Sequence, residues 1–327
     1  MAGTSTPALA AAVSNAGGLG SLGLGSLDAV KGRAMIEAIA GLTNRAININ
    51  LFCHRPAARD DAGDTRWIAA LKPEFEKFDA EPPIALREIY QSFVTDGAML
   101  KMLLQIRPKV LSFHFGLPPA AVIGALKDTG IILFASATNL AEGRAVQDAG
   151  IDAVVAQGYE AGGHRGIFDP DSADSQLSMS VLTSLLVKNL SLPVIAAGGI
   201  MDGAGIAAVL RLGAVAAQLG TAFIGCPESD ADAGYRATLK SDASNHTVMT
   251  KAISGRPARC LTNCFTAIDG ASVAAYPRAY DAGKALNAAA KAKGEYGYGA
   301  QWAGQGAPLA RFMPAAELVA TLVREMR

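Results

Sequence analysis

Seven short apolar runs punctuate the chain, near Leu19-Leu22, Ile47-Leu51, Val110-Phe113, Ile131-Ala135, Ala153-Ala156, Val194-Ala197 and Ala214-Ala217. Segments with helix-like patterning separate most of them, and that alternation predicts a parallel α/β fold. Intervals such as Ile131 to Ala153 and Val194 to Ala214 are about one barrel βα unit long. Two intervals are longer. Cys53 to Arg107 holds a charged, proline-bearing stretch, and the chain from about Glu228 to Tyr298 lies beyond the last run. Both are expected to pack as helices beside or over a barrel mouth. The division that results is a barrel from 1–52 and 106–228, an insertion at 53–105, and a C-terminal helical segment at 229–327 packed on the barrel near the site.

Alternation also operates within a run. In Ile47-Asn48-Ile49-Asn50-Leu51 the two asparagines share one face, and one face of a barrel strand is its interior. Pro7 to Asn15 reads as a helix with proline in its first turn and Gly17 just past its end. Its Ala-rich stretch could be taken for a signal peptide, but no Lys or Arg precedes Lys31, so the charged leader region is missing.

Half of the 327 residues are hydrophobic, yet no apolar run approaches the roughly 18 residues that cross a membrane. Lys and Arg balance Asp and Glu at 29 each, giving zero formal charge, so the electrostatic footprint of a nucleic-acid or anionic-membrane binder is absent. These features predict a cytoplasmic protein, monomer or homodimer, with a small-molecule partner. Cys53, Cys226, Cys260 and Cys264 form no disulfide framework, and Cys260-x3-Cys264 lacks a second ligand pair, so no metal site is expected.

The candidate chemistry gathers where runs end. Gln157-Gly158-Tyr159-Glu160-Ala161-Gly162-Gly163-His164-Arg165-Gly166 follows the fifth run and sets a histidine directly after two glycines that let a ligand approach the backbone. The sixth and seventh runs end alike, at Gly198-Gly199 and at Leu219-Gly220-Thr221, each turning toward a helix. Exposed N–H groups at the positive end of a helix dipole suit a phosphate. His114 ends the third run in Ser-Phe-His-Phe-Gly, so it should face the same mouth.

These motifs in order, with NINLF and SFHFGLP upstream and WAGQG downstream, resemble the nitronate monooxygenases over nearly the whole chain. The resemblance implies an FMN-dependent (β/α)8 TIM barrel with helical insertions that oxidises alkyl nitronates with O2 to a carbonyl compound and nitrite. The His-Arg-Gly ending and WAGQG resemble the class acting on propionate 3-nitronate. Family members carry an earlier strand ending in Ala-Pro-Met-Ala-Gly, whereas this chain opens at Met1-Ala2-Gly3. The expectation is therefore that the first barrel strand is missing and that the native start lies upstream of Met1.

The resemblance assigns His164 to catalysis and places His114 near the substrate. It places Asn50, Gln157 and Gln218 at the flavin, where neutral amides can both donate and accept. Gly162, Gly163, Gly198, Gly199, Leu219, Gly220 and Thr221 complete the expected cofactor set. Tyr90, Tyr298 and Trp302 are expected to line the substrate pocket. Arg165 is read as pairing with Glu160, and His54 and His246 as surface or loop residues. Two alternatives stand beside this reading. One is an FMN-dependent NAD(P)H reductase of the enoyl-acyl-carrier or quinone type, which shares the Gly-Gly-His pattern. The other is a non-catalytic barrel that binds FMN or phosphate.

Overall fold

The structure, a computed structural model, describes residues 1–57 and 59–327. In chain order its elements begin with α1 (Pro7–Asn15), β1 (Gly20–Gly23), α2 (Ala29–Ala40), β2 (Ile47–Phe52), α3 (Asp61–Glu76) and α4 (Gly97–Ile106). Next come β3 (Val110–His114), α5 (Ala120–Lys127), β4 (Ile132–Ala137), α6 (Leu140–Asp148), β5 (Ala153–Gln157) and β6 (Gly163–His164). α7 (Met179–Asn189), β7 (Val194–Ala197), α8 (Gly203–Arg211), β8 (Ala216–Gln218) and α9 (Ala233–Lys240) follow, then β9 (Thr247–Thr250), β10 (Ala258–Leu261), α10 (Arg278–Ala292) and α11 (Ala315–Glu325).

The seven expected strands form one parallel sheet in the order β1-β2-β3-β4-β5-β7-β8, curled in the manner of a TIM barrel with helices on its outer face. Register follows the alternation. Ile49, Leu51, Leu111 and Leu133 point outward into the main core with Ile36 and Leu103 of the flanking helices. Small or polar residues fill the interior. Ala153, Val155, Ile195 and Ala197 make a narrow apolar floor, and above it Asn48 donates to the hydroxyls of Ser21 at 2.8 Å and Ser112 at 2.9 Å. β1 and β8 are the sheet's two edges. The segment before α1 lies between them, tied to β1 by Ser5 Oγ donating to the Ser21 carbonyl and to the chain after β8 by Asp230 N donating to the Thr4 carbonyl at 2.9 Å.

α3 packs on α10 rather than on the barrel layer, in a second core built on Trp67, Leu71, Phe75, Phe265 and Leu286. The ion pairs Asp64–Arg278 and Arg87–Asp281 clamp α3 and the segment after it to α10 across more than 190 residues of chain. α4, in contrast, joins the main core through Met99, Met102 and Leu103. The region past β8 also carries strands, which the sequence reading did not foresee. β9 and β10 pair antiparallel, and β10 pairs with the two-residue β6, setting Ala258 opposite His164. Such short strands carry too little periodicity to be distinguished from loop. Among the described residues no helix is long and apolar enough to cross a membrane.

Candidate active site

A cavity of about 680 Å³ opens at the C-terminal ends of the parallel strands. Its size is within the range of small-molecule and cofactor sites. Strand ends supply its floor through Asn48, Asn50, Ser112, Gln157 and Gln218, while α10 and the Trp302–Gly306 strap supply its roof. Nearly every residue singled out from the sequence lines it, from His114 and His164 to Tyr90, Tyr298, Trp302 and the glycine pairs. Leu219 differs: its side chain packs outward with Ile200 and Val209, as alternation after Gln218 requires.

His164 sits in an aromatic cage, with ring centroids of Trp302 at 5.0 Å, Tyr276 at 5.5 Å and Phe115 at 5.6 Å. Burial there pushes its pKa down to about 3, with the neighbouring His114, Arg256 and His54 pushing the same way. His114 is likewise held near 4, chiefly by burial. The His164 backbone is anchored from below. Its carbonyl accepts from Gln157 Nε2 at 3.0 Å and from His114 Nε2 at 3.1 Å, while Gln157 Oε1 accepts from Gly166 N at 2.7 Å. A carbonyl can only accept, so His114 carries its hydrogen on Nε2 and takes one from Ser136 through Nδ1, 2.9 Å from Oγ. Both side chains that the resemblance sets at ligand thus hold the His164 loop as well as line the cavity.

One expectation needs correction and another a refinement. Arg165 does not pair with Glu160. It is only 2 % exposed and forms a two-pronged pair with Asp174, Nε to Oδ2 at 2.8 Å and Nη2 to Oδ1 at 3.0 Å, because in extended backbone it points away from its neighbour His164. Glu160 instead accepts from Met179 N at the start of α7. His54 is in a loop but not at the surface. It is 1 % exposed, edge-on to Tyr276 at 4.9 Å, and burial holds its pKa near 4. Among the described residues neither ring nitrogen has a partner in hydrogen-bond geometry, and the Tyr90 backbone only partly offsets the effect of burial. His246 is exposed, as expected.

The phosphate candidates also acquire detail. Gly199 has a left-handed φ of +68°, and neither its amide nor that of Gly220 donates to a backbone carbonyl among the described residues. The N-terminus of α8, however, is closed to an anion. Asp202 Oδ1 accepts from Gly205 N at 2.7 Å and Glu325 Oε2 from Gly203 N at 3.0 Å. Any phosphate here is held by loop amides rather than by that helix. The strap seals this end: Gly304 N donates to Thr221 Oγ1 and Gln305 N to the Glu160 carbonyl, both at 2.9 Å. Gly162 must be glycine for this to happen, since a Cβ there would lie 2.4 Å from Gly304 N.

Comparison with known proteins identifies the family of the chain. The family model for nitronate monooxygenase matches residues 1–325. The chain belongs to the nitronate monooxygenase family. It is 60 % identical to the nitronate monooxygenase of Paraburkholderia phytofirmans over all of this chain and 90 % of that protein, and 53 % identical to that of Pseudomonas aeruginosa, of which it covers 94 %. Among solved structures, nitroalkane oxidase from Streptomyces ansochromogenes superposes with a TM-score of 0.91 at 39 % identity, covering 99 % of this chain and 92 % of that one. FabK from Thermotoga maritima superposes at 0.76 with 28 % identity, covering 100 % and 90 %.

In this nitronate monooxygenase family member, the sequence reading missed the contribution of α10. Tyr280, Gly283, Lys284 and Asn287 lie at helical spacing on the face that lines the cavity. The Lys284 ammonium stands 4.9 Å from the Tyr90 ring centroid and 5.4 Å from that of Tyr280, and burial lowers its pKa. Asp281, one turn earlier, pairs with Arg87 instead. Tyr276 brings a buried hydroxyl that has no partner among the described residues. The Tyr298 hydroxyl, by contrast, is taken by Glu74 of α3 at 2.5 Å, so this residue ties α3 to the roof.

Proposed function

We propose that the protein is an FMN-dependent nitronate monooxygenase whose substrates are small carboxylated nitronates such as propionate 3-nitronate, with His164 as the base that takes the α-proton when the conjugate nitroalkane binds instead. Family membership makes it an oxidoreductase, and the family is flavin-dependent in general. The cavity suits FMN: free loop amides at Gly199 and Gly220 for the phosphate, and neutral amides at Asn48, Asn50 and Gln218 for the ring edge. Asn48 Oδ1 is buried without a partner, as fits an acceptor awaiting a ligand N–H. Bound flavin would supply the redox chemistry, taking electrons from the nitronate and passing them to O2.

The observation that carries the rest is the neutral, caged imidazole of His164. An opposite charge nearby raises a pKa by up to about 3 units. An imidazole that titrates near 3 therefore stays largely neutral at pH 7.5 even beside a bound nitronate. His164 works as a base, able to take the α-proton of the conjugate nitroalkane, and not as a cation for the nitronate oxygens. Lys284 answers the substrate carboxylate, and the unpartnered Tyr276 hydroxyl can donate to a nitronate oxygen.

The test is His164→Asn. Flavin content should be unchanged, while kcat/KM for 3-nitropropionate, the conjugate nitroalkane whose α-proton must be taken, followed by nitrite release, should fall on the order of a hundredfold. An unchanged kcat/KM would remove His164 from the chemistry.

A further inference from the structure

The small sheet of β6, β9 and β10 sets His164 against the turn that joins β9 to β10. Pairing of Ala258 with His164, and Arg165 N donating to the Pro257 carbonyl at 2.8 Å, fix that turn relative to the imidazole. The turn presents Ser254, whose hydroxyl lies 2.9 Å from His164 Nε2. Ser254 is 1 % exposed and can exchange its hydroxyl with little else. Gly255, at φ +86°, keeps the turn tight, and a Cβ there would lie 2.4 Å from the Ala274 carbonyl.

A serine hydroxyl has one hydrogen to give. Ser254 Oγ also lies 3.2 Å from the Arg256 carbonyl, which can only accept. If the hydroxyl donates to Nε2, that buried carbonyl loses this donor, and the His164 hydrogen moves to Nδ1, which has no acceptor among the described protein groups. If it donates to the carbonyl, His164 must donate through Nε2, and every partner in the chain is served. Leaving a buried polar group unpaired costs on the order of 1–3 kcal/mol, enough to decide between tautomers.

We propose that Ser254 is a positioning residue that holds the His164 hydrogen on Nε2 and so presents the Nδ1 lone pair to the cavity as the proton acceptor. The proposal rests on the reading of His164 as the base and adds which nitrogen acts and what selects it. Nitrogen-15 spectra of histidine-labelled holoenzyme test it, with the His164 signals assigned by their loss in His164→Asn. The unmodified protein should show Nε2 as the hydrogen-bearing nitrogen and Nδ1 as the bare one. Ser254→Ala should move both shifts toward averaged values and lower kcat/KM for the conjugate nitroalkane, 3-nitropropionate, about tenfold at unchanged flavin content. Ser254→Thr, which keeps the hydroxyl, should restore both. Hydrogen on Nδ1 in the unmodified protein, or a Ser254→Ala variant with native shifts and native kcat/KM, overturns the proposal. If His164→Asn alone leaves turnover intact, the base assignment fails, while the spectra still decide whether Ser254 sets the tautomer.

Discussion

Three buried histidines, two lining the cavity and His54 packed on Tyr276 behind it, are held neutral, and this makes the fold sensitive to mild acid. Burial is the first cause in each case, bringing His54 and His114 to about 4 and His164 to about 3 from an ordinary 6.5. Below pH 6.5 the unfolded chain takes up protons that the folded chain refuses, so stability is fully present above that pH and is lost as pH falls through it. At pH 5 the unfolded state gains about 1.5 pH units of protonation, or roughly 2 kcal/mol per histidine. His54 isolates this effect, because it is fully buried, edge-on to Tyr276 and without a well-formed hydrogen bond. His54→Phe keeps the aromatic packing and removes one proton-linked group. Between pH 7.5 and 5, the variant should lose about 2 kcal/mol less stability than the parent, a difference of roughly 3 °C in Tm for a chain of this size. Calorimetric melting at the two pH values reads it directly. Parallel Tm losses in parent and variant would show that His54 protonates freely in the folded state, and the claim of a neutral histidine cluster would fail with it.

Other variants probe separate parts of the site. Gly199→Val places a β-branched residue at a left-handed φ and should move the loop amides away, giving folded protein purified without flavin; full flavin occupancy would refute the phosphate placement. Lys284→Met should raise KM for propionate 3-nitronate roughly tenfold and leave KM for uncharged ethyl nitronate nearly unchanged, so an equal effect on both would deny it the carboxylate. Gly162→Ala forces the strap off the His164 loop, with loss of two hydrogen bonds and an overpacking cost that together come to about 3–5 kcal/mol, and a Tm within a degree of the parent would contradict that packing.

What the sequence made legible was whatever local pattern determines. Each of the seven strands lies within two residues of its apolar run, and the alternation through Ile47–Leu51 placed Asn48 and Asn50 inside the barrel. Glycines after β5, β7 and β8 marked the mouth because a tight turn at a strand end needs them. Missed features depend on contacts far apart in the chain. Ser254 meets His164 across 90 residues and Asp281 meets Arg87 across 194, and no spacing announces either. The α10 face was hidden for another reason. Its cavity-lining residues are polar, so the helix reads as solvated on the side that roofs the site. One signal was available and not used. Asp202 before Gly203-Ala204-Gly205 is an ordinary N-cap, and it showed that the start of α8 was already occupied.

The central claim is that this cavity passes electrons from a nitronate, and not from a nicotinamide, to oxygen. Anaerobic mixing of the flavin-loaded protein with propionate 3-nitronate, and separately with NADH, tests it most directly. The account predicts loss of the oxidised-flavin absorbance with the nitronate alone, and recovery with nitrite release once O2 is admitted. Bleaching by NADH with no response to the nitronate would contradict it and identify the protein as a reductase.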